Sequence, residues 1–222
     1  MHVVVTGAAG ALGREVVGVL AARGHSVSGI DLSEGVDAVA GLGVALGGVD
    51  LGDADSVAKA FGQAAADAGS VHGLVNIAGG FAWETIADGN PATWERMFAI
   101  NVRTALNACR AVLPHLEAPA SIVNVGAAAT ARAGLGMGAY TAAKSGVARL
   151  TEALAEEVKA DGVRVNAVLP SIIDTPANRK DMPDADFAAW VTGTELANAI
   201  AFLLSPDASG VTGALIPVSG RV

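Results

Sequence analysis

Two side chains capable of acid–base chemistry stand four residues apart in the chain. The stretch NVGAAATARAGLGMGAYTAAK, residues 124–144, ends in Tyr140 and Lys144 and contains no serine. Residues at positions i and i+4 share one helix face, so both side chains can reach the same substrate. A phenol with an ordinary pKa of about 10 needs a nearby cation to exchange its proton near neutrality. The spacing therefore predicts a site in which Tyr140 is the proton donor and Lys144 tunes it.

A glycine-rich turn near the N-terminus predicts that a dinucleotide binds. The strand HVVVT runs into TGAAGALG, which places Gly7, Gly10 and Gly13 on the turn into the first helix. Glycines here allow a tight turn, close approach of a pyrophosphate to the backbone amides, and close packing of helix on strand. An ordinary strand–helix turn is the alternative, but the position after the first strand of a βαβ unit favours a dinucleotide.

Asp31 indicates which dinucleotide this is. It ends the second predicted strand, where a carboxylate can accept hydrogen bonds from the adenosine ribose hydroxyls and would repel a 2′-phosphate. Neither the glycine turn nor Leu32 and Ser33 supplies a cation that would neutralise such a phosphate. NAD(H) is therefore predicted in preference to NADP(H). Capping of the following turn is the alternative role for Asp31.

The elements that position these residues alternate along the chain. Short β-branched runs are separated by Ala- and Leu-rich segments, which predicts βαβ units. The predicted helices lie at 11–23, 55–68, 93–116, 138–160 and 194–205. We expect an α/β fold with a doubly wound parallel sheet of the Rossmann type, in three layers (α/β/α). Residues 1–222 contain no linker and form one predicted domain, in which the loss of periodicity at about 170–192 predicts a lid.

Composition argues against several classes of protein. The net charge of −8 is spread over many short segments, so no basic stripe suits nucleic acid or anionic lipid. Apolar runs end well short of the roughly twenty residues that span a bilayer. Cys109 is the single cysteine, the four histidines lack metal-ligand spacing, and no signal peptide precedes HVVVT. The expectation is a reduced, cytoplasmic protein without a metal that acts on a small molecule.

Taken in order, the motifs resemble those of the short-chain dehydrogenase/reductase family over essentially the whole chain. The matching elements are TGAAGALG, Asp31, VDL at 49–51, NIAG at 76–79, NV at 101–102, Tyr140 with Lys144, and RVNAVLP at 164–170. The resemblance implies that Tyr140 is the proton donor, that Lys144 binds the nicotinamide ribose and lowers the tyrosine pKa, and that Asn101 holds a water of the proton relay. It also implies a homodimer or homotetramer built through helices 93–116 and 138–160.

The same resemblance implies a set of cofactor-binding residues at the glycine turn, at strand ends and after the sixth strand. They are Gly7, Gly10, Ala11, Leu12, Gly13, Asp31, Asp50, Leu51, Asn76, Ala78, Gly79, Tyr140, Lys144, Pro170, Ile173 and Thr175. Asp50 and Leu51 would flank the adenine, and Thr175 would contact the nicotinamide carboxamide.

One residue of the family pattern is missing. The usual site has a serine thirteen residues before the tyrosine, where this chain has Ala127, and the nearest loop hydroxyl is Thr130. With the shifted glycine spacing and a similar lid sequence, this loss makes the chain resemble the quinonoid dihydropteridine reductase branch, which uses NADH. A conjugated acceptor spreads its charge over a ring, whereas an isolated ketone that loses one donor reacts on the order of 10²-fold more slowly.

We therefore expect an NADH-dependent reductase of a conjugated acceptor such as a quinonoid dihydropterin. Its apolar pocket is predicted to include Ala127, Trp83, Met137 and Trp190, with simple packing as the alternative for the aromatic residues. Two other functions stay open. One is a carbonyl reductase or alcohol dehydrogenase of the same family in which Thr130 or a water replaces the serine, and the other is an NAD-binding protein without catalysis.

Overall fold

Seven parallel strands form one sheet in the computed structural model, which describes residues 1–222. The strands are β1 (His2–Thr6), β2 (Ser26–Ile30), β3 (Val44–Leu46), β4 (Val71–Asn76), β5 (Leu116–Val125), β6 (Val163–Pro170) and β7 (Leu215–Val218). Their order in the sheet is β3-β2-β1-β4-β5-β6-β7. The order reverses between β1 and β4, and doubly wound sheets bind their ligands at such a reversal.

Helices cover both faces of the sheet. They are α1 (Ala11–Ala22), α2 (Ala54–Ala68), α3 (Pro91–Phe98), α4 (Thr104–Val112), α5 (Gly138–Val158), α6 (Pro176–Asp181) and α7 (Gly193–Leu204). Successive strand residues point to opposite faces, so Val3 and Val5 pack in one buried cluster with α1 and α7 while Val4 packs in another with α2, α4 and α5. The predicted three-layer fold is confirmed. None of the helices is both long enough and apolar enough to cross a membrane.

Three elements differ from the sequence prediction. The helix expected at 93–116 is two helices joined by a π-helical turn, Ala99–Arg103, and β5 already begins at Leu116. The strand β3 has three residues, too few to show an alternating pattern. The lid contains α6, which has no apolar stripe but begins with Thr175 as N-cap and Pro176 in its first turn, a signal that could have revealed it.

The two ends of the lid are joined at its base. Ile173 and Val191 form a parallel bridge, and the Asp174 amide donates to the Val191 carbonyl at 2.7 Å. The C-terminal segment adds a further contact, since the Arg221 amide donates to the Ala189 carbonyl at 2.9 Å. The segment 174–190 is therefore a loop whose two ends pair with each other at the carboxyl edge of the sheet.

Candidate active site

The glycine turn brings α1 into direct contact with β1. Gly7 has a φ of +69°, and a Cβ on Gly13 would lie only 2.1 Å from the Gly7 carbonyl oxygen. Any side chain at position 13 would therefore push the helix off the strand. A Cβ on Gly7 would also lie 2.8 Å from the Ala78 nitrogen, so the turn sits tightly against the segment that follows β4.

The N-terminus of α1 has no side-chain cap. Its N-cap is Gly10. The N-caps of α2, α3 and α7 are Asp53, Asn90 and Thr192, and each of these side chains accepts a hydrogen bond from a backbone amide. The first turn of α1 also lacks an acidic residue. Uncapped amides at the positive end of a helix dipole favour an anion, so these residues fit the pyrophosphate of a dinucleotide.

Asp31 lies at the carboxyl end of β2, beside the glycine turn. Its Oδ2 accepts from the Ala9 amide at 2.9 Å, and its Oδ1 accepts from the Ser33 amide at 2.8 Å. The capping interaction is thus present, and it holds the carboxylate against the turn. Arg14, which the sequence analysis overlooked, is also here, because its Nε donates to the Ala9 carbonyl at 2.9 Å.

Four of the predicted cofactor residues line one cleft of about 120 Å³ between α1 and the start of the lid. They are Ala11, Leu12, Ile173 and Thr175. Pro170, at the end of β6, leads the chain into this part of the lid. The lid therefore begins directly opposite the glycine turn.

Three other predicted cofactor residues, Asp50, Leu51 and Asn76, differ in how their side chains are placed. Leu51 is 6% exposed and packs in the core beneath α2, while Asp50 is exposed and its Oδ1 accepts from the Gly52 amide. Asn76 is buried, and its amide donates to Cys109 and Asn124 within the protein. The side-chain amide of Asn76 is thus used inside the sheet. That Asn76 lines the cofactor stays a prediction, and its backbone at the end of β4 is the part that could do so.

Tyr140 and Lys144 lie in the first two turns of α5. Lys144 is 7% exposed, and its Nζ donates to the Val125 carbonyl at the end of β5 at 2.8 Å. Burial lowers the pKa of Lys144 to about 8 and raises the pKa of Tyr140 to about 12. Burial is the cause of the raised tyrosine pKa, and Lys144 makes no contribution to it in the protein without cofactor. The lowering of the tyrosine pKa by Lys144 stays a prediction. The Tyr140 hydroxyl makes no hydrogen bond to the protein.

Asn101 lies in the π-helical turn between α3 and α4. Its Nδ2 donates to the Gly80 and Met97 carbonyls at 3.1 and 3.0 Å, and its Oδ1 accepts from the Gly80 amide at 3.2 Å. Both Nδ2 hydrogens are thus used, and the side chain holds the segment after β4. A water held at Asn101 would donate to its backbone carbonyl or to the second lone pair of Oδ1. Gly79 borders both groups, because a Cβ there would lie 2.6 Å from Asn101 Oδ1 and 3.5 Å from Lys144 Nζ.

No hydroxyl replaces the missing serine at Ala127. Ala127 is 4% exposed, and the Thr130 Oγ1 donates to the Ala127 carbonyl at 2.9 Å. Thr130 also lines a different cleft, of about 510 Å³, together with Arg149 and Leu215. Its hydroxyl is therefore used within its own turn, which argues against Thr130 as the substitute. The unpaired buried hydroxyl in this region belongs to Thr141, directly after Tyr140.

Two exposed aromatic rings, Phe81 and Trp83, lie near the start of α5 and are called the apolar wall here. Phe81 packs edge-on against the tyrosine ring, with centroids 5.0 Å apart and planes at 75°. Trp83 lies on Gly136, where a Cβ would be 2.3 Å from the indole, and Glu84 donates its amide to the Gly136 carbonyl at 2.8 Å. Phe81 and Trp83 are 55% and 58% exposed, so much of each ring is accessible.

The remaining predicted pocket residues differ in their exposure. Met137 is partly buried at the N-cap of α5, next to the loop that carries Gly136. Trp190 is 3% exposed and packs on Phe187 at a centroid distance of 4.9 Å. The indole of Trp190 is thus buried beside Phe187 and is not an open pocket wall.

The sequence matches one protein-family model and several proteins of known activity. Residues 1–186 match the family model described as short chain dehydrogenase. The chain is 37% identical to cis-4-hydroxycyclohexanecarboxylate dehydrogenase from Sinomonas cyclohexanicum, across 98% of this chain and 94% of that enzyme. That relative is a dehydrogenase of another substrate, and the narrower resemblance to dihydropteridine reductase is not shown.

Solved structures share the fold over almost the full length. A 3-ketoacyl-(acyl-carrier-protein) reductase from Brucella melitensis complexed with NADH has a TM-score of 0.87 and 28% identity, covering 99% of this chain and 97% of that one. A blue fluorescent protein from a metagenomic library, in complex with NADPH, has a TM-score of 0.90 and 30% identity, covering 99% and 96%. Proteins with this architecture are thus found with either nicotinamide cofactor.

Proposed function

The chain belongs to the short-chain dehydrogenase family, and from this premise we propose that it is an NAD(H)-preferring oxidoreductase that interconverts a ring-bearing secondary alcohol and its ketone. The observation that carries the proposal is the pair of the partly buried Tyr140 and the buried Lys144, which share one face of α5 next to the segment after β4. An acid and a cation on one helix face, across from a glycine turn that fits a dinucleotide, are the parts that carbonyl reduction needs.

In the direction of reduction, Tyr140 donates its proton to the substrate oxygen. With a pKa of about 12 the phenol keeps its proton throughout the neutral range, so the acid form is available. Lys144, with a pKa of about 8, is charged at pH 7 and stabilises the phenolate that proton transfer leaves behind. The nicotinamide cofactor, when bound, supplies or accepts the hydride.

The apolar wall supports a ring as the body of the substrate. Phe81 offers an accessible ring beside the phenol, and Trp83 offers one at Gly136, just before α5. Such surfaces bind rings by stacking and by burying apolar area. The similarity to a dehydrogenase of a hydroxycyclohexane carboxylate points in the same direction. Tyr140 is then the one protein hydroxyl that contacts the substrate oxygen, because Ala127 lacks one and Thr130 is engaged in its turn.

Asp31 is the residue on which the preference for NAD(H) rests. We expect Asp31→Ser to lower the ratio of kcat/KM for NADH over NADPH by about tenfold to 100-fold, because it removes a like charge from the site of a 2′-phosphate. Arg14, held at the Ala9 carbonyl of the same turn, is available to bind that phosphate. Steady-state kinetics with both cofactors measure the ratio.

The matched control is Arg14→Ala in the Asp31→Ser background. Loss of the gained NADPH activity in the double variant would assign the phosphate contact to Arg14. An unchanged cofactor ratio in Asp31→Ser would contradict the placement of the Asp31 carboxylate at the adenosine ribose.

A second function is favoured by one observation, the absence of a hydroxyl at Ala127. Reduction of a conjugated acceptor such as a quinonoid dihydropterin spreads the developing charge over a ring, so that a single donor can suffice. The same residues would serve: Tyr140 as the acid, Lys144 beside it, and Trp83 as a stacking surface. A third possibility, NAD binding without catalysis, is opposed by the retained acid and cation.

A panel of acceptors separates these functions. We expect NADH oxidation with cyclic ketones, and NAD⁺ reduction with the matching alcohols, at higher kcat/KM than with quinonoid dihydropterin. Ala127→Ser should raise ketone turnover by about tenfold or more, since one added donor to a localised oxyanion can be worth up to 10²-fold, and leave pterin turnover nearly unchanged. Pterin turnover without ketone turnover in the parent would reverse the order of the two proposals.

Exposed apolar side chains support a homodimer or homotetramer. Trp94, Phe98 and Leu106 are each more than one third exposed on α3 and α4, the segment that the sequence analysis assigned to subunit contacts. Contact between two copies through these helices would remove this apolar area from water.

A further inference from the structure

A chain of buried hydrogen bonds crosses three strands and ends on the helix of the catalytic pair. Thr6, Asn76 and Asn124 are register partners on β1, β4 and β5, so their side chains lie at one level of the sheet. Thr6 Oγ1 donates to Asn76 Oδ1 at 3.3 Å, and Asn76 Nδ2 donates to Asn124 Oδ1 at 2.9 Å. Asn124 Nδ2 then donates to Thr151 Oγ1 on α5 at 2.9 Å.

Each hydrogen bond in this series is donated in the direction of α5, and the last one is accepted by a backbone carbonyl. The Thr151 hydroxyl donates to the Val147 carbonyl at 2.9 Å, so its oxygen is free to accept from Asn124. Thr6, Asn76, Asn124 and Thr151 are each less than 5% exposed. Buried polar chains whose members are all paired hold their groups in one arrangement, since any displacement leaves a buried donor without an acceptor.

This series of hydrogen bonds attaches α5 to β5 at a second point. The first point is Lys144 Nζ on the Val125 carbonyl, and the second is Thr151 on Asn124, the residue just before Val125. Lys144 and Thr151 are seven residues apart, two turns along one helix face. Two fastenings to adjacent residues of one strand fix both the rotation of the helix and its position along its axis.

We infer that Thr151 and Asn124 are positioning residues for catalysis, which set the place of Lys144, and through it of Tyr140, relative to the strands that carry the cofactor turn. The inference rests on the proposed function of Tyr140 and Lys144. Neither residue touches the reacting atoms, and their effect passes through α5. A displacement of about 1 Å at a reacting group can lower the rate by roughly 100-fold, so a fastening two turns away has measurable consequences.

The surroundings of Lys144 make its titration a sensitive measure of this position. Burial is the cause of its lowered pKa, its one hydrogen bond goes to a backbone carbonyl, and the titratable side chain on its own helix face is Tyr140. Asn101, which borders Gly79 with it, is neutral. If the hydrogen bond between Thr151 and Asn124 is lost, α5 can shift and water can reach the Lys144 ammonium. The pKa of Lys144 then rises toward its ordinary value.

The test replaces Thr151 by Val, which keeps the shape and removes the hydroxyl. With the ketone that the parent reduces best, we expect kcat to fall by about tenfold to 100-fold with a smaller change in KM, because positioning acts on the reacting groups. The alkaline limb of the pH profile, near the lysine pKa of about 8 in the parent, should move upward. Thr151→Ser, which restores the hydroxyl, should recover most of the rate and the parental limb.

The matched control is Thr141→Val, the same substitution at a buried threonine of the same helix whose hydroxyl has no partner. It should retain the parental pH limb. If Thr151→Val does not fold, Thr151→Ala leaves room for a water at the Asn124 amide and carries the same expectation. A lowered melting temperature with an unchanged pH limb and kcat would overturn the inference. A parent without turnover on any acceptor would instead refute the proposed function.

Discussion

Replacing Tyr140 by Phe is expected to lower kcat for carbonyl reduction by about 10²- to 10⁴-fold, the range that a positioned general acid contributes. The substitution removes the hydroxyl and keeps the ring, so the edge-on contact with Phe81 persists. The phenol makes no hydrogen bond within the protein, and its loss therefore leaves no buried partner unsatisfied. Turnover with NADH and the best ketone of the panel measures the effect.

Cofactor binding separates loss of the acid from loss of the site. The glycine turn, Asp31 and the cleft at Ile173 are independent of the phenol, so the affinity for NADH, followed by fluorescence titration, should stay within about twofold of the parent. Unchanged turnover in Tyr140→Phe would show that another group donates the proton. Absent turnover in both proteins with intact NADH binding would support a binding protein that does not catalyse.

The parts of the site that could be predicted from the sequence are those set by local spacing. Gly7 and Gly13 follow the first strand directly, and Tyr140 and Lys144 share a helix face by their separation alone. The structure keeps these relations because parallel strands deliver their carboxyl ends to one edge of the sheet. Fold class was predictable for the same reason, since alternating strands and helices allow few arrangements.

The parts that could not be predicted depend on contacts between distant segments. The motif at 76–79 gave no sign that the side-chain amide of Asn76 pairs with Asn124, which is 48 positions away. Trp190 resembled a pocket residue by its place in the lid segment, whereas its burial depends on packing that includes Phe187. The π-helical turn at Asn101 carries no sequence signal of its own, because one extra residue in a helical turn leaves the composition unchanged.

Replacing Lys144 by Met is expected to abolish turnover and at the same time to stabilise the fold at pH 7. Burial moves the pKa of this lysine from 10.5 to about 8, which corresponds to a cost of about 3 kcal/mol when the folded chain holds the charged form. Removing the charge therefore stabilises the folded chain by that amount, and loss of the hydrogen bond to the Val125 carbonyl offsets about 1 kcal/mol of this stabilisation. A net increase of about 2 kcal/mol in the free energy of unfolding should follow.

The lowered pKa of Lys144 determines how the stability difference between Lys144→Met and the parent changes with pH. Below about pH 8 the lysine is charged in both states of the parent, and the cost of burying the charge is fully present. As the pH rises toward 10.5 the folded chain loses the proton before the unfolded chain does, so the parent becomes relatively more stable. The advantage of Lys144→Met should therefore shrink between pH 8 and 10.5, measured by denaturant unfolding of both proteins at several pH values.

Lys159→Met is the matched control, because Lys159 lies just past the same helix and is exposed in an ion pair with Glu156. Its removal should change the free energy of unfolding by less than about 1 kcal/mol and leave turnover intact. A Lys144→Met protein less stable than the parent at pH 7 would mean that the ammonium is well solvated in the folded state. If stability rises and activity is lost in Lys144→Met, the buried charge of Lys144 lowers the stability of the fold and serves proton transfer by Tyr140.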